Sequence, residues 1–164
     1  MPFICGGYLY DGSNTYFDTC YGYLPMSDSW LEIGTMPSPR AFSAYAFLEG
    51  FGLVMAGGYD GSFLDSVIVT KDSSNFETLG SLPTASRDGC LTVVNQTTLL
   101  LSGGYDGVDL DQALSYDIPT DTWTRYLGDI QGSAKRWSPG LVNLPLTTSA
   151  WLCLQHSRNL GTSF

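Results

Sequence analysis

A recurring pair of glycines organises the sequence. The pairs stand at Gly6-Gly7, Gly57-Gly58 and Gly103-Gly104. An aromatic residue recurs with steps of 46 and 47 residues, at Trp30, Phe76 and Trp123. The distance from Trp30 to Gly57 is 27 residues, and the distance from Phe76 to Gly103 is again 27. Self-similarity at a fixed period of this length indicates a series of supersecondary units that pack against one another.

The segments between these landmarks predict strands. They are short runs rich in Val, Leu, Tyr, Phe and Thr, bounded by Gly, Pro, Asp or Ser, and no window has a helical period. One predicted set of four strands is Ala44–Leu48, Gly52–Ala56, Leu64–Thr70 and Asn75–Gly80. The next set is Gly89–Val94, Thr98–Ser102, Leu110–Asp117 and Thr122–Leu127. The predicted fold class is therefore all-β.

The two landmark types have physical roles in such a repeat. Paired glycines at the end of an inner strand let neighbouring backbones approach closely, and they permit a positive φ. An aromatic residue on the outer strand supplies a large apolar surface that packs between neighbouring units. Both landmarks are therefore expected to be structural.

The motifs resemble those of a known repeat family. Gly57-Gly58-Tyr59-Asp60-Gly61 and its repeat Gly103-Gly104-Tyr105-Asp106-Gly107 resemble the second-strand ending and following loop of kelch repeats in BTB-kelch adaptor proteins. The segment from Ser115 to Trp123 resembles the family's connection between the third and fourth strands. A period near 47 residues is close to that of the kelch repeat.

The resemblance implies an incomplete kelch-type β-propeller over residues 1–144. It would hold three blades, at about 3–36, 41–82 and 87–128, and the start of a fourth at 136–144. The first blade lacks its first strand, and residues 145–164 lose the pattern and are expected to form an atypical C-terminal tail. Propellers need about four to eight blades to close, so we expect a fragment, or self-association through open blade edges.

The resemblance also suggests a binding face. In the kelch family, partner peptides bind the face that carries the loops between second and third strands and between blades. The loop residues that this implicates here are Tyr59, Asp60, Ser62, Phe63, Tyr105, Asp106 and Val108. Arg40, Arg87 and Arg136 fall in or beside the inter-blade loops. Arginine grips carboxylates with a planar fork, but these arginines could instead bridge neighbouring blades through backbone carbonyls.

The predicted function is non-catalytic binding of another protein or peptide, in the finer form substrate recognition for a cullin-based ubiquitin ligase. A net charge of −9 disfavours nucleic-acid and anionic-membrane partners. His156 is the single histidine, so no multi-histidine metal site is expected, and no cofactor is predicted. The alternative enzyme hypothesis is a fragment of a kelch-type copper oxidase whose metal ligands lie outside this sequence.

The cysteines bear on the compartment. Cys5 ends one predicted strand and Cys20 lies in the next, so their spacing suits a cross-strand disulfide. Extracellular kelch proteins have a similar pairing, and Asn95 begins an N-glycosylation sequon in a predicted loop. Free cysteine is also common in protein interiors as a small apolar residue. The resemblance to BTB-kelch proteins favours the cytoplasm, and a secreted kelch protein is the alternative.

Overall fold

A computed structural model describes residues 2–125, together with the backbone of residues 139–142 and 152–155. All regular structure in these residues is β-strand, arranged in antiparallel sheets. The all-β prediction is confirmed at this level. Within the described residues no helix is long and apolar enough to cross a membrane.

Three sheets follow one another along the chain. The first sheet has the order β1-β2-β3, with strands Phe3–Tyr10, Asn14–Leu24 and Ser29–Thr35. The second sheet has the order β4-β5-β6-β7, with strands Ala44–Leu48, Gly52–Ala56, Val67–Thr70 and Phe76–Leu79. The third sheet joins β8 to β11 in chain order, with strands Cys90–Asn95, Thr98–Ser102, Ala113–Asp117 and Thr122–Arg125. A further pair joins β12 and β13, Pro139–Val142 and Leu152–Gln155.

The third strand of the second sheet is shorter than the predicted one. The predicted segment Leu64–Thr70 pairs as a strand only from Val67. The residues before Val67 form hydrogen bonds with loops instead. The amide of Leu64 donates to the carbonyl of Gly58, and the carbonyl of Asp65 accepts from the amide of Leu82. β10 likewise begins at Ala113 and not at the predicted Leu110.

The first diglycine lies inside a strand, whereas the sequence predicts a strand end there. β1 continues through Gly6 and Gly7 to Tyr10, with a bulge between Cys5 and Gly7. Two more residues precede the Asp-Gly turn here than in the second sheet. They lengthen the loop into a paired hairpin, in which Tyr10 lies opposite Asn14.

The same hydrogen bond joins each sheet to the next. The amide of Gly7 donates to the carbonyl of Arg40 at 3.0 Å, and the amide of Gly58 donates to that of Ser86 at 2.9 Å. A side chain on Gly57, whose φ is +63°, would overlap the Ser86 carbonyl. The close backbone approach that the paired glycines predict is therefore present at this boundary.

The core lies between the sheets. Buried apolar side chains of the second and third sheets form one layer, which includes Val54, Val67, Leu99, Leu114 and Tyr116. A smaller layer between the first and second sheets contains Cys20, Met36, Met55 and Ile68. Adjacent sheets thus pack face to face as successive layers along the chain.

The outer aromatic residues follow this arrangement. The Trp123 indole donates to the carbonyl of Gly80 in the second sheet at 2.8 Å. Phe76 packs into the layer shared with the first sheet. Trp30 is 52% exposed, because within the described residues its face of the first sheet has no further sheet against it.

Candidate binding site on the loop face

Each sheet carries an Asp-Gly turn. Asp11, Asp60 and Asp106 each donate an amide hydrogen bond to the carbonyl of the residue two positions on, and the glycine between adopts a positive φ. The Asp60 carboxylate accepts from the Ser62 amide at 3.1 Å, and that of Asp106 accepts from Val108 at 3.2 Å. Both carboxylates therefore hold their own turns, as aspartate commonly does.

Aromatic rings from the first two sheets and one ring from the third form a continuous group beside these turns. Six rings contact one another in a chain, in the order Phe42, Tyr8, Tyr16, Tyr59, Phe63 and Tyr105. Successive ring centroids are 5.2 to 5.8 Å apart, a spacing typical of favourable aromatic pairs. With Arg87 these rings are called the aromatic–arginine cluster below.

Arg87 lies at the centre of the cluster. Its guanidinium carbon is 5.2 Å from the ring centroids of Phe42 and Tyr59 and 5.3 Å from that of Tyr105. These distances are in the cation–π range. Its Nε lies 3.5 Å from a carboxylate oxygen of Asp88, and 30% of its side chain is exposed. The guanidinium therefore contacts rings from loops of the second and third sheets, while part of the Arg87 side chain stays exposed.

Arg40 has a different environment. It is only 3% exposed, and its guanidinium donates to the carbonyls of Gly57 and Ser66 and to the hydroxyl groups of Ser38 and Ser66. Its backbone pairs with the first sheet, through the Gly7 amide and the Phe17 carbonyl. Arg40 thus bridges the first and second sheets. Burial lowers the pKa of Arg40, and the nearby Asp60 carboxylate opposes that shift.

The two arginines do not occupy equivalent positions. By the inter-sheet hydrogen bonds, Arg40 corresponds to Ser86. Ala41 pairs with Tyr59 as Arg87 pairs with Tyr105, so Arg87 corresponds to Ala41. The two arginines are 47 residues apart, one more than the 46 residues that separate Gly57 from Gly103 and Ala41 from Arg87. Arg40 and Arg87 therefore lie in different environments, although their spacing is close to that of the repeat.

The predicted loop residues are near one another but have different contacts. Tyr59, Phe63 and Tyr105 belong to the aromatic–arginine cluster. Ser62 and Val108 are exposed at the turn tips. Arg136 lies outside the described residues, as does most of the predicted tail 145–164.

Three members of the cluster were not predicted: Tyr8, Tyr16 and Phe42. Tyr8 carried a usable signal, because it follows a diglycine as Tyr59 and Tyr105 do. Phe42 carried no such signal. Its backbone has a φ of +59°, a conformation that is rare for a bulky residue and that the sequence does not indicate. Burial, with help from Tyr59 and Tyr8, raises the pKa of Tyr16.

The predicted disulfide and sequon lie in the first and third sheets. Cys5 and Cys20 are direct cross-strand partners of β1 and β2 and are joined by a disulfide. Asn95 is exposed at the turn between β8 and β9, and its side-chain oxygen accepts from the amide and the hydroxyl of Thr97. Cys90 is a buried thiol. In the described residues, His, Cys, Asp and Glu side chains form no group of three that could hold a metal ion.

No model of a known protein family matches this chain, and no curated protein matches it.

Proposed function

We propose that the chain is part of a kelch-type β-propeller that binds another protein or peptide through its loop face, without catalysis. The observation that carries this proposal is the aromatic–arginine cluster. Tyrosine and arginine are enriched at the energetic centres of protein interfaces. Here six rings and one arginine from three successive sheets converge on one surface.

The repeated bond between sheets supports the propeller part of the proposal. In a propeller, successive sheets pack face to face around an axis with their innermost strands adjacent. β4 packs against β8 here, and each is the first strand of its sheet. The finer form, substrate recognition for a cullin-based ubiquitin ligase, rests on the resemblance to BTB-kelch proteins.

The proposal is tested by affinity capture with three matched baits: the unaltered chain, Arg87→Ala and Met26→Ala. Met26 is fully exposed at the turn between β2 and β3, outside the cluster. We expect a partner that the unaltered chain and Met26→Ala retain and that Arg87→Ala loses. A partner retained equally by all three baits would contradict binding at the cluster.

A second candidate is a secreted kelch-type binding protein. The Cys5–Cys20 disulfide and the exposed Asn95 favour it, because structural disulfides persist in oxidising compartments. Protein from a secreting eukaryotic host should then lose mass on enzymatic removal of N-glycans, and Asn95→Gln should not. Secretion without a glycan and with reduced Cys5 and Cys20 would contradict this candidate.

A further inference from the structure

Two aromatic side chains of β4 are exposed at positions where β8 is buried. The cross-strand registers make Tyr45 equivalent to Leu91 and Phe47 equivalent to Val93. Tyr45 is 71% exposed and Phe47 is 68% exposed, whereas Leu91 is 6% exposed and Val93 is partly buried. All four side chains are largely apolar, so the difference in exposure comes from what packs against them.

Leu91 and Val93 of β8 are covered by β4, but in the described part of the chain Tyr45 and Phe47 of β4 are not covered by an equivalent strand. β4, the innermost strand of the second sheet, packs against β8. The first sheet has three strands, and its diglycine strand β1 is at the edge. In the other two sheets the equivalent strands, β5 and β9, each have another strand on that side. Within the described residues, the position that would cover Tyr45 and Phe47 therefore has no strand.

The free edge of β1 presents hydrogen-bonding groups to this position. The amide of Tyr23 donates to the carbonyl of Pro2, so alternate residues from Pro2 point their polar groups towards β2. The Cα atoms of Cys5 and Cys20 are 4.1 Å apart, the short spacing of a pair that does not exchange hydrogen bonds. By this alternation, Phe3 and Cys5 direct their amide and carbonyl groups away from β2.

A groove of about 660 Å³ lies beside this edge. Its walls include Phe3 and Ile4 from β1 and Tyr45, Phe47, Leu53 and Met55 from the second sheet. It thus combines a row of peptide groups with an apolar floor, the two elements that recognise an added strand.

We propose that this groove binds an extended peptide strand from a partner, antiparallel to β1, in the position that β4 and β8 hold in their own sheets. The partner strand has small side chains at alternate positions. The reason is that Ala44 and Ala46 are the residues of β4 that pack into the layer shared with Leu91. Larger side chains would collide with the rings of Tyr45 and Phe47. The groove borders the aromatic–arginine cluster at Phe42. The edge of β1 and the rings of Tyr45 and Phe47, which carry this proposal, lie outside the cluster, so either proposal can fail without the other.

The probe is a fluorescent peptide with the sequence of residues 43–50, which includes β4. Its control carries Ala46→Pro, which removes an amide that an added strand needs. Fluorescence anisotropy should show binding of the probe to the full chain and at least tenfold weaker binding of the proline peptide. Tyr45→Ala in the full chain should weaken binding, and Met26→Ala should leave it unchanged.

Hydrogen exchange separates strand addition from general apolar adhesion. Peptide binding should slow exchange of the Phe3 and Cys5 amides at least tenfold and leave that of Ile4, already paired with β2, unchanged. Equal binding of both peptides, or unchanged exchange at Phe3 and Cys5, would overturn the proposal. Protection of these amides before peptide is added would also overturn it. If the protein then forms a concentration-dependent dimer, a second copy of the chain pairs with the edge of β1. If it is a monomer, another segment of the same chain pairs with that edge.

Discussion

Arg40 and Ser86 hold the same position in successive sheets, and each offers its carbonyl oxygen to the second glycine of a pair. The bonds from Gly7 and Gly58 are 3.0 and 2.9 Å long. Arg40 also uses its side chain to bind the second sheet, a role that Ser86 cannot take. Arg87, one residue further on, points instead into the aromatic rings of the loop face. Arg40 therefore has a structural role, and Arg87 is the arginine of the proposed binding site.

Replacing the two arginines should have unequal effects on stability. Arg40→Ala leaves buried acceptors with fewer donors and should lower the free energy of unfolding by about 2–4 kcal/mol. Arg87→Ala removes a partly exposed cation–π contact and should cost about 1 kcal/mol. Urea unfolding of both variants measures the difference. Equal losses would mean that Arg87, too, is architectural.

The close approach at Gly57 gives a second prediction. Gly57→Ala places a methyl group onto the Ser86 carbonyl and strains a backbone with φ of +63°. We expect a loss of more than about 3 kcal/mol, or no folded protein. Gly50→Ala is the matched control, since Gly50 has a φ of +80° but open space around it, and should cost only about 1–2 kcal/mol. Similar thermal stabilities of the two variants would contradict the close contact.

The disulfide gives a third prediction. It closes a loop with a sequence separation of 15 residues, so breaking it in Cys5→Ser/Cys20→Ser should cost about 3 kcal/mol. Alkylation of unfolded, unreduced protein from an oxidising host, followed by peptide mass spectrometry, should label Cys90 and leave Cys5 and Cys20 unlabelled. Labelling of all three would contradict the bond.

The turn between β10 and β11 gives a pH-dependent prediction. The Asp121 carboxylate accepts from the Tyr116 hydroxyl at 2.5 Å and from the Gly80 amide at 2.6 Å, and these bonds lower the pKa of Asp121. A carboxylate with a lowered pKa stabilises the fold above its unfolded value of about 4, and this stabilisation is lost as the pH falls.

Asp121→Asn should therefore destabilise the chain at pH 7, and its deficit relative to the unaltered chain should shrink as the pH falls below about 4. Urea unfolding across the pH range measures this deficit. A deficit that is constant with pH would contradict the assignment. Tyr116→Phe should shift the Asp121 pKa back towards its ordinary value, which carboxyl NMR titration would detect.

Much of the strand pattern could be predicted from the sequence. Ala44–Leu48, Gly52–Ala56 and Thr98–Ser102 have the predicted bounds, because tight turns with glycine or asparagine fix their ends. The starts of β6 and β10 could not be predicted. Leu64 and Leu110 begin the preceding segments and suggest a strand start, but tertiary hydrogen bonds such as that from the Leu64 amide to the Gly58 carbonyl hold these segments in loops.

The candidate site was less predictable than the fold. The Gly-Gly-Tyr motif indicates Tyr59 and Tyr105, but the contact of Tyr59 with Tyr16 and that of Phe42 with Tyr8 depend on how adjacent sheets pack. The arginines show the same limit. Arg40 and Arg87 are 47 residues apart, whereas the diglycines of the second and third sheets are 46 apart. This one-residue offset lies within the variation of the repeat, yet it determines whether the arginine side chain is buried between sheets or contacts the rings of the loop face.

We propose that the aromatic–arginine cluster binds a partner and that Arg87 contributes to this binding far more than to the stability of the fold. The direct measurement is the Kd of the captured partner for the unaltered chain, Arg87→Ala and Met26→Ala, beside the melting temperature of each. We predict that Arg87→Ala weakens binding by about tenfold or more while its melting temperature falls by no more than about 4 °C. Met26→Ala should change neither quantity. Unchanged affinity of Arg87→Ala, or a loss of affinity that only accompanies a loss of folded protein, would contradict the claim.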